Sequence, residues 1–283
     1  MSQVVSANQE LSRSKRQYLD PNVNVLLKVM YKEQFPDIIS TILRLKHSRK
    51  INDERCKQLV ENINGRFLKT VIMILTDKDE FENIFKRLKK EYDDVQKYSG
   101  DKQEAIIQWY TELFKEFSEE LIVQHQDIFQ GLIVNLNFDN SRLVKRIMLL
   151  VCMMSTKNGD YSTKVMSQLI ERFYIIRAQP KFDDKIKQVI QELCNSISSE
   201  KVFMEFAGKL ENHPDLIFCQ ELIERLTLVI AASPYYKTLR GILMGKVKPE
   251  YAKTKEQLFF SLFKTWSYNP ISTLTLCLLS RNY

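Results

Sequence analysis

Apolar residues recur along this chain at helical spacing, and short polar breaks cut the runs apart. Asn158-Gly159-Asp160, Gln179-Pro180, Ser198-Ser199, His213-Pro214 and Ser233-Pro234 each separate one amphipathic run from the next. Helices joined by turns this short lie antiparallel and bury their apolar faces against immediate neighbours, which restricts the chain to a bundle or a solenoid. The 283 residues include only 7 Gly and 7 Pro, too few turn formers for a hairpin-rich sheet. The expected fold is all-α, a right-handed α-solenoid of about twelve to fourteen helices with essentially no sheet.

In chain order, residues 1–20 are polar and aperiodic, with a basic Arg13-Ser14-Lys15-Arg16 neighbourhood, and read as a flexible tail. Residues 21–157 form a helical region and residues 158–283 a C-terminal region. An apolar run from Val23 reaches Phe35, and Pro36 opens a further helix through Ile38, Ile39, Ile42 and Leu43. That helix ends in Arg44-Leu45-Lys46-His47-Ser48-Arg49-Lys50, either a solvated helix end suited to the dipole or a contact for anionic lipid or nucleic acid. Asp53 to Thr76 is a long helix whose apolar face carries Leu59, Ile63, Phe67, Leu68, Val71 and Ile72. The Lys86-Arg87-Leu88-Lys89-Lys90 cluster lies among Glu82, Glu91, Asp93 and Asp94, a mixture that favours i,i+4 pairing over a phosphate track.

The residues that could carry chemistry are scattered. Cys56, Cys152, Cys194, Cys219 and Cys277 are an odd number without CxxC spacing, and four sit inside apolar helical runs, as reduced core residues do. His47, His125 and His213 have no metal-ligand spacing, and the glycines form no phosphate loop. No enzyme, cofactor or metal site is expected. No stretch reaches the roughly 18 apolar residues of a spanning helix, and the N-terminus lacks an apolar signal-peptide core, so any membrane role is peripheral. The net charge of +7 is mostly N-terminal, with 19 Lys/Arg against 14 Asp/Glu in residues 1–100.

The last 26 residues read as a helical hairpin. Leu258, Phe259, Leu262, Phe263 and Trp266 share one helix face; Asn269 caps a second helix, and Pro270 suits its first turn. Ile271, Leu274, Leu278 and Leu279, with Leu276 beside them, give that second helix its apolar face. Tyr268, Asn269 and Pro270 form the turn, and solenoid turns lie on exposed edges where another protein can meet them.

Two resemblances add to this. Leu136, Asp139, Val144 and Lys145 follow the spacing of a HEAT repeat, which implies HEAT/armadillo-like hairpins with Asp139 capping a helix and Val144 in the inter-repeat core. The run Trp266, Asn269, Pro270, Leu276, Cys277, Leu278, Leu279, Asn282 and Tyr283, with the hairpins from Ile186 onward, resembles the C-terminal part of the vacuolar protein fourteen family. Those proteins are HEAT-repeat scaffolds of the phosphatidylinositol 3,5-bisphosphate kinase/phosphatase complex. The resemblance implies a non-catalytic scaffold at the cytosolic face of endosomal and vacuolar membranes. Its implied partners are a phosphatidylinositol-3-phosphate 5-kinase, a Sac-type phosphoinositide phosphatase and further copies of the chain as a homo-oligomer. The family chain carries a long N-terminal solenoid and continues for several helices past the Asn-Tyr at which this one stops, so truncation at Tyr283 is expected. Lys264, Tyr268, Asn269, Pro270 and Arg281 are the candidate partner-binding residues; the plainer reading makes Asn269-Pro270 a cap and a helix start. A generic trafficking adaptor and a nucleic-acid-binding solenoid are the rival functions, the latter lacking aromatic interleaving among its cations.

Overall fold

The computed structural model describes residues 34–47, 53–74, 78–95, 100–116, 131–134, 136–155, 159–246 and 252–281. The expected tail at residues 1–20, the run from Val23 and the Asn282-Tyr283 end of the terminal motif lie outside these residues. Among the described residues there are twelve α-helices, one short 3-10 turn and no strand, and they group into two compact units, residues 1–128 and 129–283.

The first unit contains α1 (Phe35–His47), α2 (Glu54–Ile74), α3 (Lys78–Val95) and α4 (Gly100–Glu116). Helix α1 packs against the other three, and Ile39, Ile42 and Leu43 on it are buried. Trp109 of α4 is fully buried, and its Nε1 donates to Asn64 Oδ1 of α2 at 2.9 Å, which supplies the partner a buried indole needs. Charge also crosses the unit. Lys102 Nζ of α4 donates to Glu91 Oε2 of α3 at 2.8 Å, and the Ser40 hydroxyl of α1 donates to Glu91 Oε1 at 2.7 Å. The expected i,i+4 pairing in α3 is present, with Lys86 Nζ 2.9 Å from Glu82. Arg44 is exposed; the rest of the 44–50 run has no described side chain except the exposed Leu45. The apolar face of α2 differs from the sequence reading. Leu59 and Ile63 are exposed, because the face covered by α1 and α4 begins at Asn64 and continues through Leu68 and Val71.

The second unit contains α5 (Ser141–Ser155), α6 (Gly159–Ile176), α7 (Phe182–Ser196), α8 (Ser199–Leu210), α9 (Leu216–Ala232), α10 (Lys237–Leu243), α11 (Ala252–Trp266) and α12 (Pro270–Ser280), with a 3-10 turn at Pro234–Tyr236. Hairpins α5–α6 and α7–α8 stack so that α5 packs on α7, α6 on α8 and α8 on α11. That two-layer succession is the solenoid arrangement, each hairpin burying its face against the next. Phe173 is buried at the seam between hairpins, its ring stacked on Phe206 and edge-on to Phe182. The HEAT-like spacing holds in one respect and fails in another. Val144 is fully buried, but the cap of α5 is Asn140, whose Oδ1 accepts the Leu143 N–H at 3.1 Å. Asp139 instead points outward and pairs with Lys185 Nζ at 3.1 Å. With Asn140 immediately before the helix, the neighbouring carboxylate is released to tie α7 to this turn.

Candidate functional site

The terminal hairpin α11–α12 is anchored from its buried side. Leu258, Leu262 and Trp266 face the core of the unit, and Thr265 Oγ1 donates to the Ala207 carbonyl of α8 at 2.9 Å. Phe263, expected on the same face, is partly exposed, and Phe259 is half-buried against it with rings 5.5 Å apart. Successive helix residues are 100° apart, so a face this narrow holds the 258, 262 and 265–266 positions and turns 259 and 263 toward its rim.

The turn is built as its residues require. Asn269 has extended backbone (φ −127°, ψ 109°) and its Oδ1 accepts the Ser272 N–H at 3.0 Å; Pro270 occupies the first turn, where its missing N–H leaves nothing unpaired. Thr273 Oγ1 donates to the Trp266 carbonyl at 2.6 Å, which closes the hairpin. Tyr268 reaches sideways: its hydroxyl donates to the Glu211 carbonyl at 3.2 Å, and its own carbonyl accepts from Gln220 Nε2 at 2.9 Å. Lys264 Nζ stands 3.8 Å from Glu211 Oε1, an exposed pair worth little. Lys264 and Tyr268 therefore converge on Glu211 after α8, with Asn269 and Pro270 adjoining them. Arg281 does not join them. It is the left-handed cap (φ 57°, ψ 31°) at the far end of α12, about 16 Å away along an 11-residue helix.

Helix α12 turns a different side inward from the one its apolar pattern suggests. Ser272, Leu276 and Ser280 are buried, while Ile271, Leu274 and Leu278 are exposed and Leu279 is half-buried. Serines at i and i+8 let the backbone approach α9, α10 and α11 closely, and Ser280 Oγ satisfies itself on the Cys277 carbonyl at 3.1 Å. No residue of α12 is charged, so its outer face is aliphatic. Next to it, α9 shows Ile217, Gln220, Glu224 and Leu228 along one exposed stripe, and Gln220 of that stripe bonds the Tyr268 carbonyl. Sequence periodicity missed this surface. The available signal was the absence of charge on a helix that is apolar all round.

The remaining reactive groups are quiet. All five cysteines are free. Burial pushes the Cys152 thiol up to about 11 and the Cys194 thiol up to about 12, and it likewise raises Cys219 to about 11, so these thiols stay protonated at neutral pH. The His213 imidazole lies 5.7 Å from the Tyr174 ring and 5.1 Å from that of Phe218, and its Nδ1 accepts the Asp215 N–H at 3.2 Å.

Comparison with known proteins agrees with the hairpin motif. Residues 179–283 match a family model described as "Vacuolar protein 14 C-terminal Fig4p binding". The chain is 25% identical over 269 residues to "Protein VAC14 homolog" of Schizosaccharomyces pombe, covering 88% of this chain and 31% of that protein. It is 24% identical over 189 residues to "Vacuole morphology and inheritance protein 14" of Saccharomyces cerevisiae, covering 65% of this chain and 20% of the yeast protein. It is 25% identical over 178 residues to the Arabidopsis thaliana "Protein VAC14 homolog", covering 62% of this chain and 23% of the plant protein. The chain thus spans less than a third of these relatives' lengths. No solved structure matches it. The resemblance to the C-terminal part of vacuolar protein 14 therefore holds along most of this chain and is most specific over residues 179–283.

Proposed function

We propose that this chain is a non-catalytic scaffold of the assembly that makes and turns over phosphatidylinositol 3,5-bisphosphate at the cytosolic face of endosomal and vacuolar membranes. Its C-terminal region, residues 158–283, holds the Sac-type phosphatase, and the phosphatidylinositol-3-phosphate 5-kinase is the second enzyme of the same assembly. The observation that carries this reading is the match of residues 179–283, which span α7 to α12, to a domain described as Fig4p binding. A stack of hairpins suits the role, because each repeat adds surface without needing to move.

Among the described residues no helix is long and apolar enough to cross a membrane, which supports recruitment through partners and peripheral contact. The basic run at residues 44–50 adds only an electrostatic term of about 1 kcal/mol per cation near an anionic surface. Self-association and the absence of nucleic-acid binding complete the reading. Lys264 and Tyr268 belong to the partner-facing edge, Asn269 and Pro270 shape it, and Arg281 marks the opposite end of the hairpin.

The test is co-purification of the tagged 283-residue chain with the Sac-type phosphatase and the 5-kinase, alongside assays of the pure chain for phosphoinositide kinase and phosphatase turnover. The expected result is retention of the phosphatase and no turnover by the chain alone. Loss of the phosphatase in the wash, or lipid turnover by the pure chain, overturns the proposal.

A further inference from the structure

Exposed aliphatic side chains are normal when scattered; gathered on an uncharged helix, they mark a surface that something covers. In the second unit Ile271, Leu274 and Leu278 of α12 and Ile217 and Leu228 of α9 are between 59% and 76% exposed. The three on α12 are spaced by three and four residues and so form one stripe. Those on α9 share a stripe with Gln220, whose bond to the Tyr268 carbonyl sets that stripe beside the start of α12. Helices α9 and α12 pack directly on each other, so the two stripes flank one contact.

We infer that this α9–α12 face is the centre of the docking surface for the Sac-type phosphatase, with the Lys264–Tyr268 edge at its rim. The inference rests on the reading given under Proposed function and locates its contact. Two observations select this occupant. All five aliphatic residues fall inside residues 179–283, the part matched to a phosphatase-partner domain by its Fig4p-binding description. The turn, by contrast, is already engaged within the chain: the Tyr268 hydroxyl, the Tyr268 carbonyl and the Asn269 side chain are all bonded internally. Charge then defines the partner's side. Glu224 lies between Ile217 and Leu228 on the α9 stripe, and exposed Arg281 closes the end of α12. The matching surface is aliphatic at its centre, with a base opposite Glu224 and an acid opposite Arg281.

The measurement is the affinity of the 283-residue chain for the purified phosphatase, compared among the unmodified chain, an Ile271→Glu, Leu278→Glu variant and a Lys187→Ala variant on the exposed surface of α7, with melting temperatures for each. The affected side chains are exposed in the free chain, so melting stays within a few degrees. The glutamate variant is expected to bind at least tenfold more weakly, and the Lys187 variant within threefold of the unmodified chain. If the glutamates lower the melting temperature, Leu274→Ala, Leu278→Ala replaces them and is expected to weaken binding at least threefold. Equal binding by a folded face variant overturns the face while leaving the scaffold reading intact; no binding by the unmodified chain overturns both. Light scattering and flotation on phosphatidylcholine vesicles containing phosphatidylserine complete the test. Were the face variants to break up a self-associated chain, or abolish flotation, with phosphatase binding unchanged, the face would belong to a second copy or to lipid and the inference would fall.

Discussion

Trp266, Asn269 and Phe263 sit within two turns of one another, yet their burial assigns them different energies. Trp266 is 1% exposed, and truncating it leaves a cavity that the α8–α11 packing cannot close. Trp266→Ala is predicted to lower stability by about 3–5 kcal/mol. Asn269→Ala removes one observed cap bond and is predicted to cost about 1 kcal/mol. Phe263→Ala, at a position 38% exposed, should cost well under the Trp266 value. Urea unfolding of the three variants checks the order; a Phe263 loss equal to that of Trp266 would contradict the burial seen here. At this scale the cap was legible because Asn-Pro has a strict geometric use. The division between Trp266 and Phe263 was not, because only about 60° of rotation round the helix axis separates rim from core, and packing against α8, α9, α10 and α12 fixes it.

Helix by helix, what periodicity reveals is that a face exists, and what it conceals is which side is covered. In α2 the pattern included Leu59 and Ile63, but α1 and α4 cover only the stretch from Asn64 onward. In α12 nearly every position is apolar or small, so composition allows several inward sides, and the buried serines decide it by permitting close approach. The HEAT-like Leu136 to Lys145 spacing gave the buried Val144 correctly, but two adjacent residues, Asp139 and Asn140, could each cap, and the structure uses the second. Between helices, the Glu91 cluster supplies a pH test. Burial alone would raise this carboxyl, but hydrogen bonds from Lys102 and Ser40, with the charges of Lys102 and Arg87, outweigh it and hold the group below its ordinary value of 4.5. A depressed carboxylate contributes stability above that ordinary value and loses it as pH falls through the folded value. Glu91→Gln is therefore predicted to lower the melting temperature at neutral pH, with the gap to the unmodified chain closing below pH 4.5. A gap that widened on acidification would contradict this account of α1, α3 and α4.

For the molecule as a whole, the all-α class and the pairing of helices in the second unit were written in the spacing of apolar residues and in breaks such as Gln179-Pro180 and His213-Pro214. The aliphatic face across α9 and α12 was not, because it joins residues 43 or more positions apart in sequence, Leu228 and Ile271 being the nearest pair, that only the fold brings side by side. The role proposed for the second unit is to scaffold a phosphatase. Hydrogen–deuterium exchange of the 283-residue chain, with and without the Sac-type phosphatase, tests it most directly. Protection on mixing is expected to be confined to residues 179–283 and strongest in α9 and α12. Protection confined to α1–α4, or none anywhere at phosphatase concentrations far above the chain's own, would contradict it.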